Sequence, residues 1–232
     1  LGAKKKNSYA VASLRMGRIS CRYGLSVHSP FGIVGFGMIL ATLGEYKEAF
    51  ETAKVGIQLL EYIDGAHALS ARNLVATYGT LAPMAGAALG EFQHQFLRSY
   101  HVGMSYGDVD YAYHGVISHV CCSYFRGTPL EELYEEFNNY LAEMEEFQVN
   151  LAKWIITPMW LSVRALLGKS LTNEPDCMVN ADKLIAETKK QKTPEMIPML
   201  VLAYDLFTKI VLGTLGPHDE SAIAAVIDDA DS

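Results

Sequence analysis

Glycines recur between helical segments at a nearly constant interval along this 232-residue chain. The apolar residues on both sides of each glycine follow the three- and four-residue spacing of an amphipathic helix. Glycine is favoured just past a helix end because it adopts the left-handed conformation without steric cost. An interval of 37 to 48 residues is typical of stacked helix pairs, each burying its apolar face against its neighbours. The junctions are Gly44, Gly90, Gly127, Gly168 and Gly216.

This pattern predicts an all-α fold: a right-handed α–α superhelix of about five antiparallel helix pairs, forming a single domain over residues 1–232. Nothing in the sequence alternates apolar and polar residues over a strand length between hairpin signals. A leading helix is expected at about 5–23, with Ala10, Leu14 and Ile19 facing inward. The helix pairs are expected at about 28–63, 66–106, 108–147, 150–190 and 194–230.

The turn of the second pair has two candidate positions. Pro83 could open the second helix, since proline is favoured in the first helical turn, or Gly90 could mark the turn as the other glycines do. We favour a break near Pro83, with the second helix ending at Gly107. In that case LGEF at 89–92 repeats the letters of LGEY at 43–46 without repeating the structure.

Composition indicates a folded chain and argues against several kinds of partner. Half of the residues are apolar and the formal net charge is −7, which argues against a nucleic-acid-binding surface. Four cysteines without a Cys-x-x-Cys motif fit a reducing, cytoplasmic setting. The longest apolar run, 31–43, is shorter than the ~20 residues of a membrane-spanning helix, so we expect no membrane partner. The chain shows no secretory signal, and it begins with Leu1, so we expect it to be part of a longer protein.

Residues 37–56 resemble the tetratricopeptide pattern in part. The matching positions are the small residue within the first helix, the turn glycine, an aromatic plug, and two small residues where the helices cross: Gly37, Gly44, Tyr46, Ala49 and Ala53. The resemblance implies a helix–turn–helix repeat in which small side chains let two helices approach closely.

A longer series of segments is similar to the helical-repeat region of large multidomain signalling ATPases. The segments are YGLSVHSPFGIVGFGMIL (23–40), LGEYKEAFETA (43–53), YHVGMSYGDVDYAYHG (100–115, with Gly107 and Asp108) and YFRGTPLEEL (124–133, with Gly127). In that family an AAA- or STAND-type NTPase domain precedes the superhelix, and Ser/Thr kinase, GAF, histidine-kinase or cyclase modules often flank it. The resemblance implies a non-catalytic scaffold or sensor segment of a signal-transduction protein. This chain has no phosphate-binding or kinase motif, so no catalytic residue and no cofactor is expected in it.

Aromatic and polar side chains on the first helices are the candidates for a protein-, peptide- or domain-binding groove, because solenoids bind ligands on their concave face. The candidates are Tyr78, Tyr111, His114 and Tyr124. Further aromatic residues, among them Tyr134 and Trp160, fit either a groove or packing between stacked helices, and packing is favoured.

Two other functions stay open at this point. A freestanding tetratricopeptide-like adaptor would have a native chain near this length. An all-α, metal-dependent enzyme would use the histidines and cysteines at 114–122, where His119 and Cys122 share a helix face. The spacing of these residues favours core histidine and cysteine side chains, so no metal site is expected.

Overall fold

The computed structural model is built from helices. It describes residues 2–169, 181–191, 193–194, 196–216 and 219. Every regular element in these ranges is helical and none is a strand, which confirms the all-α class. One of the four cysteines, Cys177, lies outside the described residues, as does nearly all of the helix expected at the end of the fifth pair.

The chain divides into two compact units, residues 1–126 and residues 127–232. Unit 1 contains α1 (Gly2–Tyr23), α2 (Ser29–Thr42), α3 (Tyr46–Tyr62), a 3₁₀ turn (Ala66–Leu69), α4 (Ser70–Leu74), a π-helical segment (Val75–Leu81), α5 (Ala82–Met84), a second 3₁₀ turn (Leu89–Phe92), α6 (Gln93–Tyr106) and α7 (Val109–Phe125). Unit 2 contains α8 (Leu130–Glu146), α9 (Asn150–Leu166), α10 (Ala181–Lys190) and α11 (Met196–Leu212). The expectation of one continuous repeat domain stays a prediction.

Three helix hairpins, α2/α3, α6/α7 and α8/α9, are closed by the same turn. The backbone becomes left-handed just past the first helix, with φ of +88° at Gly44, +75° at Gly107 and +56° at Gln148. The next amide donates to the carbonyl five residues earlier, as in the 3.1 Å bond from Glu45 to Leu40, and this closes the helix end. The residue before the second helix then has φ of −84° to −87° and ψ of 60° to 67°. Gly107 therefore lies inside a hairpin. The expected pairs 66–106 and 108–147 instead placed it at the boundary between two pairs.

The break in the second expected pair lies between Pro83 and Gly90. Pro83 belongs to α5, which ends one residue later. Gly86 is left-handed, with φ of +82°, and the Ala87 amide donates to the Ala82 carbonyl at 3.0 Å. Gly90 lies in a 3₁₀ turn and is not left-handed. The LGEF segment therefore differs in backbone conformation from LGEY, in which the glycine is left-handed.

Helix α1 packs on α2 through a face that the sequence analysis did not predict. Ser13 is fully buried, and a Cβ on Gly35 of α2 would lie 2.9 Å from the Cβ of Ser13. The glycine brings the two backbones so close that a short side chain fills the contact. Leu14 and Ile19, which we expected to face inward, are 48% and 56% exposed, so that prediction is wrong.

Close approach also sets the packing of α2 on α3. A Cβ on Gly37 would lie 2.7 Å from the Ala49 carbonyl oxygen and 3.4 Å from the Cβ of Ala53. The apolar stripe of α3, which includes Ala49, Phe50, Ala53, Ile57 and Leu60, is buried in the core of unit 1. Tyr46, the expected aromatic plug, is 43% exposed because it is the first residue of α3 and Ala49 and Phe50 take the buried positions.

Unit 2 has a core of its own. The face of α8 that carries Leu133, Phe137 and Met144 is buried, and most of its glutamates are exposed, as the helical spacing predicts. Pro158 lies inside α9. The other helices contribute the buried side chains of Ile156, Val163, Leu184, Ile197 and Val201.

Candidate functional site

Tyr111 and His114 lie together at the start of α7. Their ring centroids are 5.5 Å apart, as the three-residue spacing on one helix face allows. His114 Nδ1 lies 2.7 Å from the Asp110 carbonyl oxygen, which can only accept a hydrogen bond. Nδ1 therefore carries the proton, and in the neutral ring Nε2 is the acceptor. Tyr111 is 37% exposed.

Arg72 of α4 joins this pair from a distant part of the sequence. Its Nε and Nη2 donate to Asp108 Oδ2 at 3.0 Å and 2.9 Å, across the turn that opens α7. The guanidinium carbon also lies 5.0 Å from the centroid of the Tyr111 ring, a cation–π contact. The arginine thereby holds both the turn and the aromatic ring in place.

We call Arg72, Tyr111 and His114 the Tyr111 patch. It combines a phenol, a guanidinium and an imidazole, which can stack on and hydrogen-bond to a bound peptide. Tyr9 of α1 packs on α2 instead, where its ring meets that of Phe31 edge-on at 6.4 Å. Burial raises the pKa of its phenol.

Tyr78 lies in the core of unit 1 instead. It is 9% exposed, and its ring stacks on Phe92 at 4.9 Å and meets Phe50 edge-on at 6.2 Å. Burial raises the pKa of its phenol, while the nearby Arg98 and Lys54 lower it. Its surroundings therefore give Tyr78 a packing role.

Tyr124 is half-buried near the C-terminal end of α7. Thirteen residues of helix place its Cα roughly 20 Å from that of Tyr111 along the axis. Its ring meets that of Phe125 edge-on at 5.4 Å, and Phe125 is 65% exposed. Of the four predicted binding residues, the structure thus brings together Tyr111 and His114.

Aromatic residues of unit 2 form a stack between α8 and α9. The rings of Tyr134 and Trp160 are nearly parallel, with centroids 6.4 Å apart. Lys169 Nζ lies 4.0 Å from the Tyr134 centroid, and the Arg164 guanidinium lies 4.4 Å from the Trp160 ring. The indole N–H of Trp160 donates to Asn138 Oδ1 at 2.9 Å. These contacts make the stack a packing element between two helices.

His119 and Cys122 are both buried in α7. Burial raises the pKa of the Cys122 thiol, although Arg126 lowers it. The raised pKa favours the thiol over the thiolate that nucleophiles and metal ligands require. In the part of the chain that the structure describes, no three His, Cys, Asp or Glu side chains are placed to hold a metal ion.

Arg72 was not among the binding residues predicted from the sequence. Arg72 could have been recognised in the sequence as a residue in need of a partner, because it is the one Lys, Arg, Asp or Glu among residues 66–90. A lone charge in an apolar stretch needs a partner, and here Asp108 provides it.

Comparisons with protein-family models, with curated proteins and with solved structures give no match to this chain. The helices of the described ranges include none with the length and apolar character needed to cross a membrane.

Proposed function

We propose that this chain is a non-catalytic, tetratricopeptide-like helical-repeat segment of a larger cytoplasmic signal-transduction ATPase or kinase. In this proposal its helix pairs stack into a right-handed superhelix that binds protein or flanking domains. The order of segments between residues 23 and 133, which resembles the repeat region of signalling ATPases, supports this assignment.

The observation that carries the proposal is the turn shared by the hairpins α2/α3, α6/α7 and α8/α9. A left-handed residue followed by one at φ near −85° and ψ near 63° closes each of them. Repetition of one hairpin geometry is what a solenoid requires, since each repeat must present an equivalent face to its neighbour.

The Tyr111 patch is the proposed contact surface of unit 1. Its aromatic rings offer stacking area at a low cost in side-chain entropy, and Arg72 holds Tyr111 in position through Asp108. A bound peptide would meet the exposed ring of Tyr111 and the acceptor nitrogen of His114.

Photo-cross-linking tests this surface directly. The full chain would carry p-benzoylphenylalanine in place of Tyr111 or, as a control, in place of Tyr62, which is 82% exposed on α3. We expect irradiation in the source cells to give a discrete protein adduct at position 111 and none at position 62. Equal adducts at both positions, or none at 111, would contradict the proposal.

A further inference from the structure

The outward face of α1 carries three large apolar residues, although Met16 lies against Gly32 of α2. Ser13 faces α2, whereas Val11, Leu14 and Ile19 are 50%, 48% and 56% exposed. Three exposed large apolar side chains on one helix leave apolar area for another element to cover.

A groove runs between α1 and α2 beside this face. Its volume is about 320 Å³ and its walls are almost entirely apolar. Gly17 forms part of its floor, and a Cβ built there would meet no atom within 4 Å. The other apolar walls come from Leu14, Cys21, Leu25, Ile33 and Phe36. The groove can therefore accept side chains the size of Leu or Phe.

The Lys, Arg, Asp and Glu residues of the segment that forms the groove all carry the same sign of charge. Residues 1–44 contain six Lys or Arg and no Asp or Glu, although the whole chain carries a net charge of −7. Arg15, Arg18 and Arg22 follow one another at three- and four-residue steps, so they share a face of α1, and all three are exposed. A binding partner would therefore meet an apolar groove bordered by a row of guanidinium groups.

We propose that this groove binds an acidic amphipathic helix of a partner protein, an inference that rests on the proposed protein-binding function. The apolar residues of the partner helix enter the groove at Gly17, and its carboxylates pair with Arg15, Arg18 and Arg22. A second copy of α1 fits less well because it would set arginines against arginines. A lipid bilayer fits less well because it is flat, whereas the groove is concave.

The test uses a fluorescent peptide with the sequence of residues 130–146, LEELYEEFNNYLAEMEE, as an acidic amphipathic probe. Anisotropy of the full chain titrated against this probe is expected to show saturable binding that weakens as salt is raised. Gly17→Trp fills the groove and is expected to weaken binding at least tenfold, as is the double variant Arg15→Glu/Arg18→Glu. Gly17→Ala, the matched control, should stay within twofold of wild type.

Circular dichroism would verify that each variant retains its helical content. The proposal is overturned if the probe does not saturate, if a scrambled peptide of the same composition binds equally, or if Gly17→Trp binds like wild type. Binding to phosphatidylserine-containing vesicles without peptide binding would assign the face to a membrane. A dimer in sedimentation velocity that Gly17→Trp dissociates would assign it to a second copy. The Tyr111 cross-link does not depend on Gly17, so the two proposals fail separately.

Discussion

Gly37 determines how closely α2 approaches α3. A side chain at this position would press on the backbone oxygen of Ala49, which cannot rotate away as a side chain can. Gly17 on α1 is the opposite case, since the space around its missing Cβ is open. The two glycines therefore respond differently to the same substitution.

We expect Gly37→Ala to lower the free energy of unfolding by about 1–3 kcal/mol through overpacking. Gly17→Ala should raise it by about 0.5–1 kcal/mol because alanine is the better helix former. Urea unfolding monitored by circular dichroism measures both. Equal effects of the two substitutions would show that the close contact at Gly37 is absent.

Arg72 and Asp108 should be energetically coupled. The Asp108 side chain is 14% exposed and receives two hydrogen bonds from Arg72, so removal of the guanidinium leaves a largely buried carboxylate. A double-mutant cycle of Arg72→Ala and Asp108→Asn is expected to give a coupling of about 1–2 kcal/mol. The exposed pair of Arg98 and Glu61, 3.5 Å apart, is the control and should give less than about 0.5 kcal/mol. Similar values for the two cycles would rule out a structural role for Arg72.

Tyr78 should make stability depend on alkaline pH. Its pKa is raised in the folded chain, so the folded state holds the phenolic proton more tightly than the unfolded state. The resulting stabilisation is present below about pH 10, the ordinary pKa of tyrosine, and is lost as pH rises through the folded pKa. We expect Tyr78→Phe to reduce the decline of unfolding free energy above about pH 10, and Tyr62→Phe to leave it unchanged. A wild-type slope in Tyr78→Phe would disprove this.

At the scale of elements, the shared hairpin turn explains why glycines mark the sequence. Its left-handed position is filled by Gly44 and Gly107 in unit 1, and by Gln148 in the α8/α9 turn. A residue with a Cβ pays a steric cost in this conformation. The α8/α9 turn is therefore strained at Gln148.

Substitution at this turn position should change stability in opposite directions in two hairpins. Gln148→Gly relieves the strain and is expected to raise the free energy of unfolding by about 0.5–1 kcal/mol. Gly107→Ala introduces a similar strain, with no atom near its Cβ, and is expected to cost about 1 kcal/mol. Thermal and urea unfolding check both. A destabilising Gln148→Gly would contradict a common turn geometry.

The helices themselves could be predicted from the sequence, but some of their contacts could not. Helical spacing puts Ala49, Phe50, Ala53, Ile57 and Leu60 on one face of α3, and all five are buried, whereas Tyr46 at the start of the same stripe is exposed. The same reasoning failed for α1. It predicts that Leu14 is buried rather than Ser13, because it does not include the neighbouring helix α2, whose Gly35 lies at the contact. Hydrophobic periodicity reports what a helix could bury, whereas the neighbouring helix decides which face fits.

In the candidate site too, some contacts could be predicted from the sequence and others could not. The proximity of Tyr111 and His114 follows from their spacing on one helix. The contacts of Arg72 with Asp108 and Tyr111 join residues 36 and 39 positions apart, and depend on how α4 packs against α6 and α7. Tyr78 could not be assigned to the core from sequence, because its partner Phe92 lies in a turn whose position was open.

At the scale of the whole molecule, each of the two units has a buried core of its own. A cluster of buried apolar residues in unit 1 extends from Val34 to Cys122, and the aromatic stack of Tyr134 and Trp160 lies within unit 2. In the proposed function these units are parts of a superhelical array that connects or senses other domains of a signalling protein. The central claim is therefore that the native polypeptide contains more than this array.

The mass of the native polypeptide tests that claim most directly. An antibody raised against this segment would be used to immunoblot an extract of the source cells under denaturing conditions. We predict a band several times the 25.5 kDa of this chain, whose flanking sequence carries the ATPase or kinase domains. A single band near 25.5 kDa would contradict the account and favour a freestanding helical-repeat adaptor.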